Sequence, residues 1–394
     1  HDIMRTRRLV LAALALPMLG GLAFGQANPG VTAESVLQIP LGARALGMGG
    51  AFTAVADDPE GLYYNPAGIS LLQSQEVQGS FYSGLAGNTL QNVAYAAPIS
   101  FSGVSGAGYA SVGANLVYSQ DGSIQVNKTN PDGSFLSSNS MSAGSDLIAG
   151  LSYAESIGQV SFLSGQDGAT EHEMNNFVGL TGKYIRSTLV QQYHAQTFTG
   201  DAGYLGVIPD WGLSFGASAL NVGGSLKYIA VSDPLPTTLR AGAAYRFAAG
   251  PWASLLLAAD GEWMTHERTW YANTGLECKL PMGFAARVGY QLHRDTLGLT
   301  LGFGVKWHDF SLDYAWAMAG PLQDLQYATL GVRFGSVITS RKAPIRQENF
   351  ELPTGNTKTP KLNLEQRIPV SPRGGAKPPQ GGVLDNGGVP GWVY

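Results

Sequence analysis

Along residues 74–335 apolar side chains recur at every second position. From Leu297 the odd positions read Leu297, Leu299, Leu301, Phe303, Val305 and Trp307, against Gly298, Thr300, Gly302, Gly304 and Lys306. A strand places alternate residues on opposite faces, so this run is a strand with one apolar and one small or polar face. Phe310, Leu312, Tyr314, Trp316 and Met318 continue the pattern, as do Phe284, Ala286, Val288, Tyr290 and Leu292, and Leu239, Ala241, Ala243, Tyr245 and Phe247. Fourteen such strands are expected, at 74–83, 88–101, 108–119, 143–156, 177–190, 192–205, 210–221, 236–248, 252–262, 270–280, 282–292, 296–307, 308–318 and 325–335. The face opposite the apolar one is Gly-rich with isolated charges. That suits a lumen, with the apolar face turned to lipid. The fold class is therefore all-β: an antiparallel transmembrane β-barrel.

An even strand count brings the chain back to the end where it started. The turns after the eighth, tenth and twelfth strands are very short, which marks that end as periplasmic. Residues 157–176 break the rule. They read either as a real inlet structure or as an extra short strand around Val160 to Leu163.

Composition agrees. Charged residues are 13% of the chain and Gly supplies 53 of 394, against about 25% charged and about 7% Gly in ordinary soluble proteins. After residue 25 no run approaches the ~20 apolar residues of a membrane helix. One Cys excludes a disulfide framework.

The ends differ from the body. Arg5, Arg7 and Arg8 precede an apolar run from Leu9 to Leu19 and the small residues around Ala23-Phe24-Gly25. This reads as a signal peptide over 1–25, cleaved before Gln26, with residues 1–3 a remnant ahead of Met4. Residues 26–73 are rich in Gly, Ala and small polar residues, with length for no more than one or two short helices, and 74–335 form the barrel. Residues 336–394 hold 8 Pro and 8 Gly, with 8 Lys/Arg against 4 Asp/Glu. Such a tail is expected to be disordered, and the even strand count puts it in the periplasm. The stretch from Leu9 to Gly335 carries 13 Lys/Arg and 23 Asp/Glu, which argues against a nucleic-acid partner.

Apparent catalytic motifs fail on context. Gly47-Met48-Gly49-Gly50-Ala51 resembles a dinucleotide turn but lies in no βαβ unit. Gly212-Leu213-Ser214-Phe215-Gly216 matches a nucleophile elbow, yet sits inside a period-two run. His172 and Glu173 lack the spacing of a zinc motif. Cys278 falls on the outward face. No enzyme activity, cofactor or metal is expected.

Residues 40–69 read Pro-Leu-Gly-Ala-Arg-Ala-Leu-Gly-Met-Gly-Gly-Ala-Phe-Thr-Ala-Val-Ala-Asp-Asp-Pro-Glu-Gly-Leu-Tyr-Tyr-Asn-Pro-Ala-Gly-Ile. This run resembles the PorV/PorQ family of outer-membrane barrels, relatives of the FadL fatty-acid transporters. Lys183-Tyr184-Ile185, Asn221-Val222-Gly223, Leu235-Pro236 with Arg240-Ala241-Gly242, and Leu312-Asp313-Tyr314-Ala315 extend the likeness over residues 35–335. The tail departs from it. The resemblance implies a 14-stranded barrel whose N-terminal segment folds back as a plug. Plug or gate positions are then Gly42, Arg44, Gly47, Gly49, Gly50, Asp57, Asp58, Asn65 and Pro66, with Arg44 expected to pair with Asp57 and Asp58.

The inward charges are Lys183, Arg240, Arg246, Glu277, Lys279, Arg287, Lys306, Asp313 and Arg333. They describe a charged rather than a greasy lumen. The resemblance points first to a type IX secretion component that binds or shuttles exported proteins at the bacterial outer membrane. Alternatives are a FadL-like transporter of hydrophobic molecules and a structural, envelope-anchoring barrel. The expected partners are outer-membrane lipid, secreted proteins or secretion-machine subunits, and a periplasmic partner or peptidoglycan reached by the tail.

Overall fold

The computed structural model describes residues 30–335, apart from 85–86, 107, 109, 165–169, 251, 295–297 and 319–323. The expected signal peptide and the expected tail lie outside the described residues.

Fourteen strands form one closed antiparallel barrel. They are β1 (Gln75–Ser83), β2 (Thr89–Ile99), β3 (Ala110–Gln120), β4 (Gly144–Ser164), β5 (Thr170–Leu189), β6 (Tyr193–Ile208) and β7 (Leu213–Val222). The second half comprises β8 (Thr238–Ala249), β9 (Ala253–Met264), β10 (Thr269–Lys279), β11 (Phe284–Leu292), β12 (Leu299–Trp307), β13 (Phe310–Ala317) and β14 (Leu325–Phe334). Each strand pairs with its sequence neighbours. β1 closes on β14, with Gln75 opposite Phe334 and Ser83 opposite Gln326. Closure removes every sheet edge, so no backbone amide is left to lipid.

The expected strands match these, with one correction. Residues 157–164 and 170–176 are not a connection but the continuation of β4 and β5, which pair there with Gly158 opposite Asn176 and Ser164 opposite Thr170. Val160 to Leu163 is the end of β4, not an extra strand, so the count stays even. The register shifts between Ser156 and Gly158, and Gly158 at φ 109 supplies the bulge. The hairpin therefore projects past its neighbours at the short-turn end. Two further hairpins, at 123–142 and 225–234, sit in the connections at the opposite, long-loop end.

The period-two reading fixes the faces. Leu151, Leu180, Phe198, Phe303, Leu312 and Leu330 point outward and are exposed, as a lipid-facing band requires. Trp252, Trp307, Phe310 and Phe334 ring the short-turn end of that band. Among the described residues no helix is long and apolar enough to cross a membrane.

Residues 30–74 fill the lumen. They contain α1 (Ala43–Gly47), α2 (Gly61–Tyr64) and two 3-10 turns, Ser35–Gln38 and Pro66–Leu71. The plug enters from the long-loop end, where the Ala33 amide donates to the Pro234 carbonyl. It leaves at the short-turn end, where β1 begins.

Candidate functional site

The plug has two parts with different surroundings. Its inner part, residues 43–72, rests on the wall backbone to backbone. A Cβ on Gly289 would collide with the Gly49 amide, and one on Gly275 with Met48. Gly216 lies likewise against Thr53, Gly203 against Asn65, Gly179 against Pro66, and Gly302 against Gly47. These wall glycines occupy inward positions of six strands and form a seat that no larger residue would allow. Gly49 and Gly50 turn the plug chain at φ 67 and 80, a conformation other residues rarely adopt.

Wall side chains then satisfy the plug's exposed backbone. Asp260 accepts from the amides of Phe52 and Thr53 at 2.9 and 2.8 Å. Gln291 donates to the Gly49 carbonyl at 2.8 Å, and the Ser218 hydroxyl to the Tyr64 carbonyl at 2.7 Å. Asn65 ties the plug to itself and to β6: its amide donates to the carbonyls of Thr53 and Tyr204, both at 2.9 Å. Its side-chain oxygen accepts from Ala67 and so caps the 3-10 turn that Pro66 opens. Buried backbone groups need such partners.

Charge completes the inner part. Arg44 Nη1 lies 2.5 Å from Asp57 and 2.7 Å from Asp58, while its Nε lies 2.9 Å from Glu277. Arg287 joins Glu277 at 2.7 Å to Asp313 at 2.6 Å, and Arg246 reaches Asp57 at 3.4 Å. Arg44 thus pairs with Asp57 and Asp58 and also with a wall carboxylate 233 residues away. The network lies towards the short-turn end, with Lys279 and half-buried Lys306 and Arg333 nearer that rim. Arg333 pairs with Glu76 at 3.2 Å. Gly42, at the start of α1, faces the Glu60 carboxylate, which accepts from Ser80 and Thr329. Burial, with Asp58 nearby, pushes Glu60 up to about 8. Burial raises Asp58 to about 6 against the pull of Arg44.

The remaining inward charges stand nearer the long-loop end. Lys183 pairs with Asp201 at 2.7 Å. Arg240 pairs with Glu262 at 3.0 Å and stacks over Tyr64, while Arg294 joins the same Glu262.

The outer part of the plug, residues 32–41, has a largely apolar environment, with one charged residue, Glu34, buried beside Asp146 and Ser187. Val36, Leu37 and Leu41 are buried against Tyr82, Leu90, Val117, Ile148, Ile185, Leu226, Leu235, Leu325 and Tyr327. The expectation of a charged lumen therefore holds for the inner half and for the Lys183–Asp201 and Arg240–Glu262 pairs, while the wall around Val36, Leu37 and Leu41 is apolar. The outer half is lined by inward apolar residues of at least six strands. Polar ties there are few: Thr32 and Gln38 donate to Glu267 at 2.6 and 2.9 Å, and Tyr63 donates to the Leu37 carbonyl at 2.6 Å.

Sequence reasoning missed Glu60, Asp201, Asp260, Glu262 and the wall glycines. Strand parity held the signal for Asp260 and Glu262, which share the inward set of β9 with Ser254 and Ala258. The motif residues have structural employment. Ser214 lies within β7 and its hydroxyl donates to the Ala54 carbonyl at 2.7 Å. His172 lies 3.1 Å from Asp210.

No protein-family model matches the sequence, and no curated protein matches it either. Among solved structures, the P. putida toluene transporter TodX is 13% identical, with 75% of this chain and 99% of that chain covered and a TM-score of 0.44. A Pseudomonas aeruginosa FadL homologue is 11% identical over 73% and 96%, with a TM-score of 0.34. A Rh. blastica porin variant is 10% identical over 66% and 99%, with a TM-score of 0.29. These are likenesses to outer-membrane barrels and carry no argument about function.

Proposed function

We propose that the protein is an outer-membrane channel for small hydrophobic molecules, gated by the outer part of its plug. One observation carries the reading. The outer lumen holds a cluster of apolar wall residues, and the plug's own Val36, Leu37 and Leu41 are packed into it. A water-filled porin lumen is polar. Here, withdrawal of residues 32–41 would leave a concave apolar space of the kind that holds apolar ligands. The inner part, seated on glycines, would stay as the floor. No chemical step is part of this reading, since the candidate serine is a strand residue bound to the plug.

The test is a reversible lock. Ala33 and Pro234 are hydrogen-bonded neighbours across the gate. The double variant Ala33→Cys/Pro234→Cys, made with Cys278→Ser, should form a disulfide under oxidation. Uptake of a radiolabelled aromatic hydrocarbon and of a radiolabelled fatty acid is then followed in cells. The expected result is uptake with the thiols reduced and its loss on oxidation. Uptake of both equal to that of cells lacking the protein would overturn the reading.

The secretion reading has one observation in its favour. The β4–β5 hairpin projects at the short-turn end with Ile157, Val160 and Leu163 exposed, which suits contact with another protein. Shortening this hairpin should remove co-purifying exported proteins if that reading holds, and leave hydrocarbon uptake intact if the channel reading does.

A further inference from the structure

The lumen wall brings three side chains of three consecutive strands together. Lys183 of β5, Asp201 of β6 and Asn221 of β7 are 5%, 4% and 3% exposed. Lys183 Nζ lies 2.7 Å from the Asp201 carboxylate and donates to Asn221 Oδ1 at 2.9 Å. The Asn221 backbone amide donates to the other Asp201 oxygen at 2.7 Å, and its side-chain amide faces the Pro236 carbonyl at 3.4 Å.

The backbone is deformed to allow this meeting. Pairing between β6 and β7 jumps from Ala202 opposite Ala219 to Gly200 opposite Val222. Asp201 falls in the gap, and Asn221 stands at φ 55. Asparagine is among the few residues that accept this left-handed conformation. The three groups are shut off from solvent, and Ile185, two residues on from Lys183, and Leu235, next to Pro236, are 0% and 1% exposed. In such a place an ion pair gains little over a neutral pair, because both charges must be stripped of water.

We propose that Lys183 and Asn221 become joined by an intramolecular isopeptide bond, with Asp201 as the proton carrier. Asp201 takes a proton from the Lys183 ammonium, which frees the Nζ lone pair. That lone pair attacks Cγ of Asn221 and forms the new C–N bond. Asp201 passes its proton to the departing Asn221 amide nitrogen and takes the second Nζ proton. The Cγ–Nδ2 bond breaks and ammonia leaves. No electrons are exchanged with any partner, and the charge is unchanged: an ammonium and a carboxylate become an amide and a carboxylic acid. The product replaces two buried charges with a neutral link. It spans β5 to β7 where the ladder between β6 and β7 is interrupted, and so staples the wall at that break. Lys183 and Asn221 both fall in sequence motifs that the channel reading leaves unused.

The decisive experiment is intact-mass spectrometry of full-length protein extracted folded from membranes, followed by tandem analysis of proteolytic fragments. The expected result is a chain lighter by one ammonia, with the peptide carrying Lys183 covalently joined to the peptide carrying Asn221. Lys183→Arg, Asn221→Ala and Asp201→Ala should each restore full mass and separate the two peptides. A wild-type chain at full mass overturns the proposal, whether or not any variant folds. So does a lost ammonia with the two peptides unjoined, because a cyclised Asn221 explains it.

Discussion

The outer and inner parts of the plug share one chain and one lumen, yet opposite kinds of force hold them. Residues 32–41 are kept in place mainly by apolar contact, with polar ties at Thr32, Ala33, Gln38 and the Leu37 and Leu41 carbonyls and with buried Glu34 beside Ser187 and Asp146. Residues 43–72 are fixed by directional bonds to six or more strands, by backbone contact with glycines, and by the Arg44 network. Apolar contact is non-directional and roughly proportional to area. A guest of similar shape and hydrophobicity can replace it. A set of backbone hydrogen bonds and buried ion pairs cannot be replaced by an apolar guest, because the groups left behind would be unpaired. On the channel reading proposed above, the outer part is the gate and the inner part the anchor.

The largest effect should come from breaking the anchor. Arg44→Ala removes the guanidinium shared by Asp57, Asp58 and Glu277. Breaking a buried pair from one side typically costs about 3–5 kcal/mol. Arg246 still reaches Asp57 and Arg287 still reaches Glu277, so Asp58 loses most. Heat-induced mobility shifts on gels should move to markedly lower temperature, and leak conductance in planar bilayers should rise. An unchanged midpoint with unchanged conductance would put the anchor elsewhere.

Next comes the glycine seat. Gly289→Ala places a Cβ into the Gly49 backbone, and overpacking of this kind costs roughly 1–3 kcal/mol. The plug should shift inward from β11 and the barrel should leak, with strand content by circular dichroism unaltered. The control is Gly182→Ala, which meets open space and should change nothing.

Much of this comparison was legible in the sequence, but not all. Strand number, parity and the inward set follow from a period of two, which lipid on one face enforces. The β4–β5 extension escaped because the constraint ends where the membrane does. Val160, Phe162 and Met174 there alternate with Gln159, Ser161 and Glu173, but the run is short and the bulge at Gly158 resets its period against the rest of β4. The apolar outer lumen escaped for a related reason. Tyr82, Leu90, Ile148 and Ile185 occupy inward positions, where they read as lapses in alternation until the plug supplies their partners. The seat glycines look like ordinary small luminal residues until Gly47, Gly49 and Thr53 are placed against them.

A pH series should act on the anchor through Glu60 and on the gate through Glu34, which burial beside Asp146 also pushes up to about 8. The Glu60 carboxyl is pushed by burial from 4.5 to about 8. The folded barrel therefore holds a proton that the unfolded chain releases across that window. A state that binds more protons gains as pH falls, so stability should decline as pH rises from about 4.5 to about 8 and level off above it. Glu60→Gln, which stays neutral and keeps an acceptor for Ser80 and Thr329, should make the decline shallower and leave the share of Glu34 and Asp58. Thermal midpoints measured across that pH range check this, and a slope of equal size in both proteins would assign it to other carboxylates.

The smallest change should bear on the gate alone. Gln38 donates to Glu267 at 2.9 Å and to Thr32 at 3.3 Å, half-buried at the long-loop end. An ordinary hydrogen bond contributes about 0.5–1.5 kcal/mol, and about 1.4 kcal/mol corresponds to a tenfold change in an equilibrium constant. Gln38→Ala should therefore shift the closed-to-open ratio of residues 32–41 by up to about tenfold. The thermal midpoint of the barrel should stay where the wild type has it, since the anchor is untouched. Hydrogen exchange at the amides of Val36 and Leu37 reads the ratio directly, with the amides of Phe52 and Thr53 as the fixed reference. Faster exchange at the first pair only would separate gate from anchor. Equal acceleration at both pairs would mean that the plug moves as one body, and the division drawn between its two parts would fail.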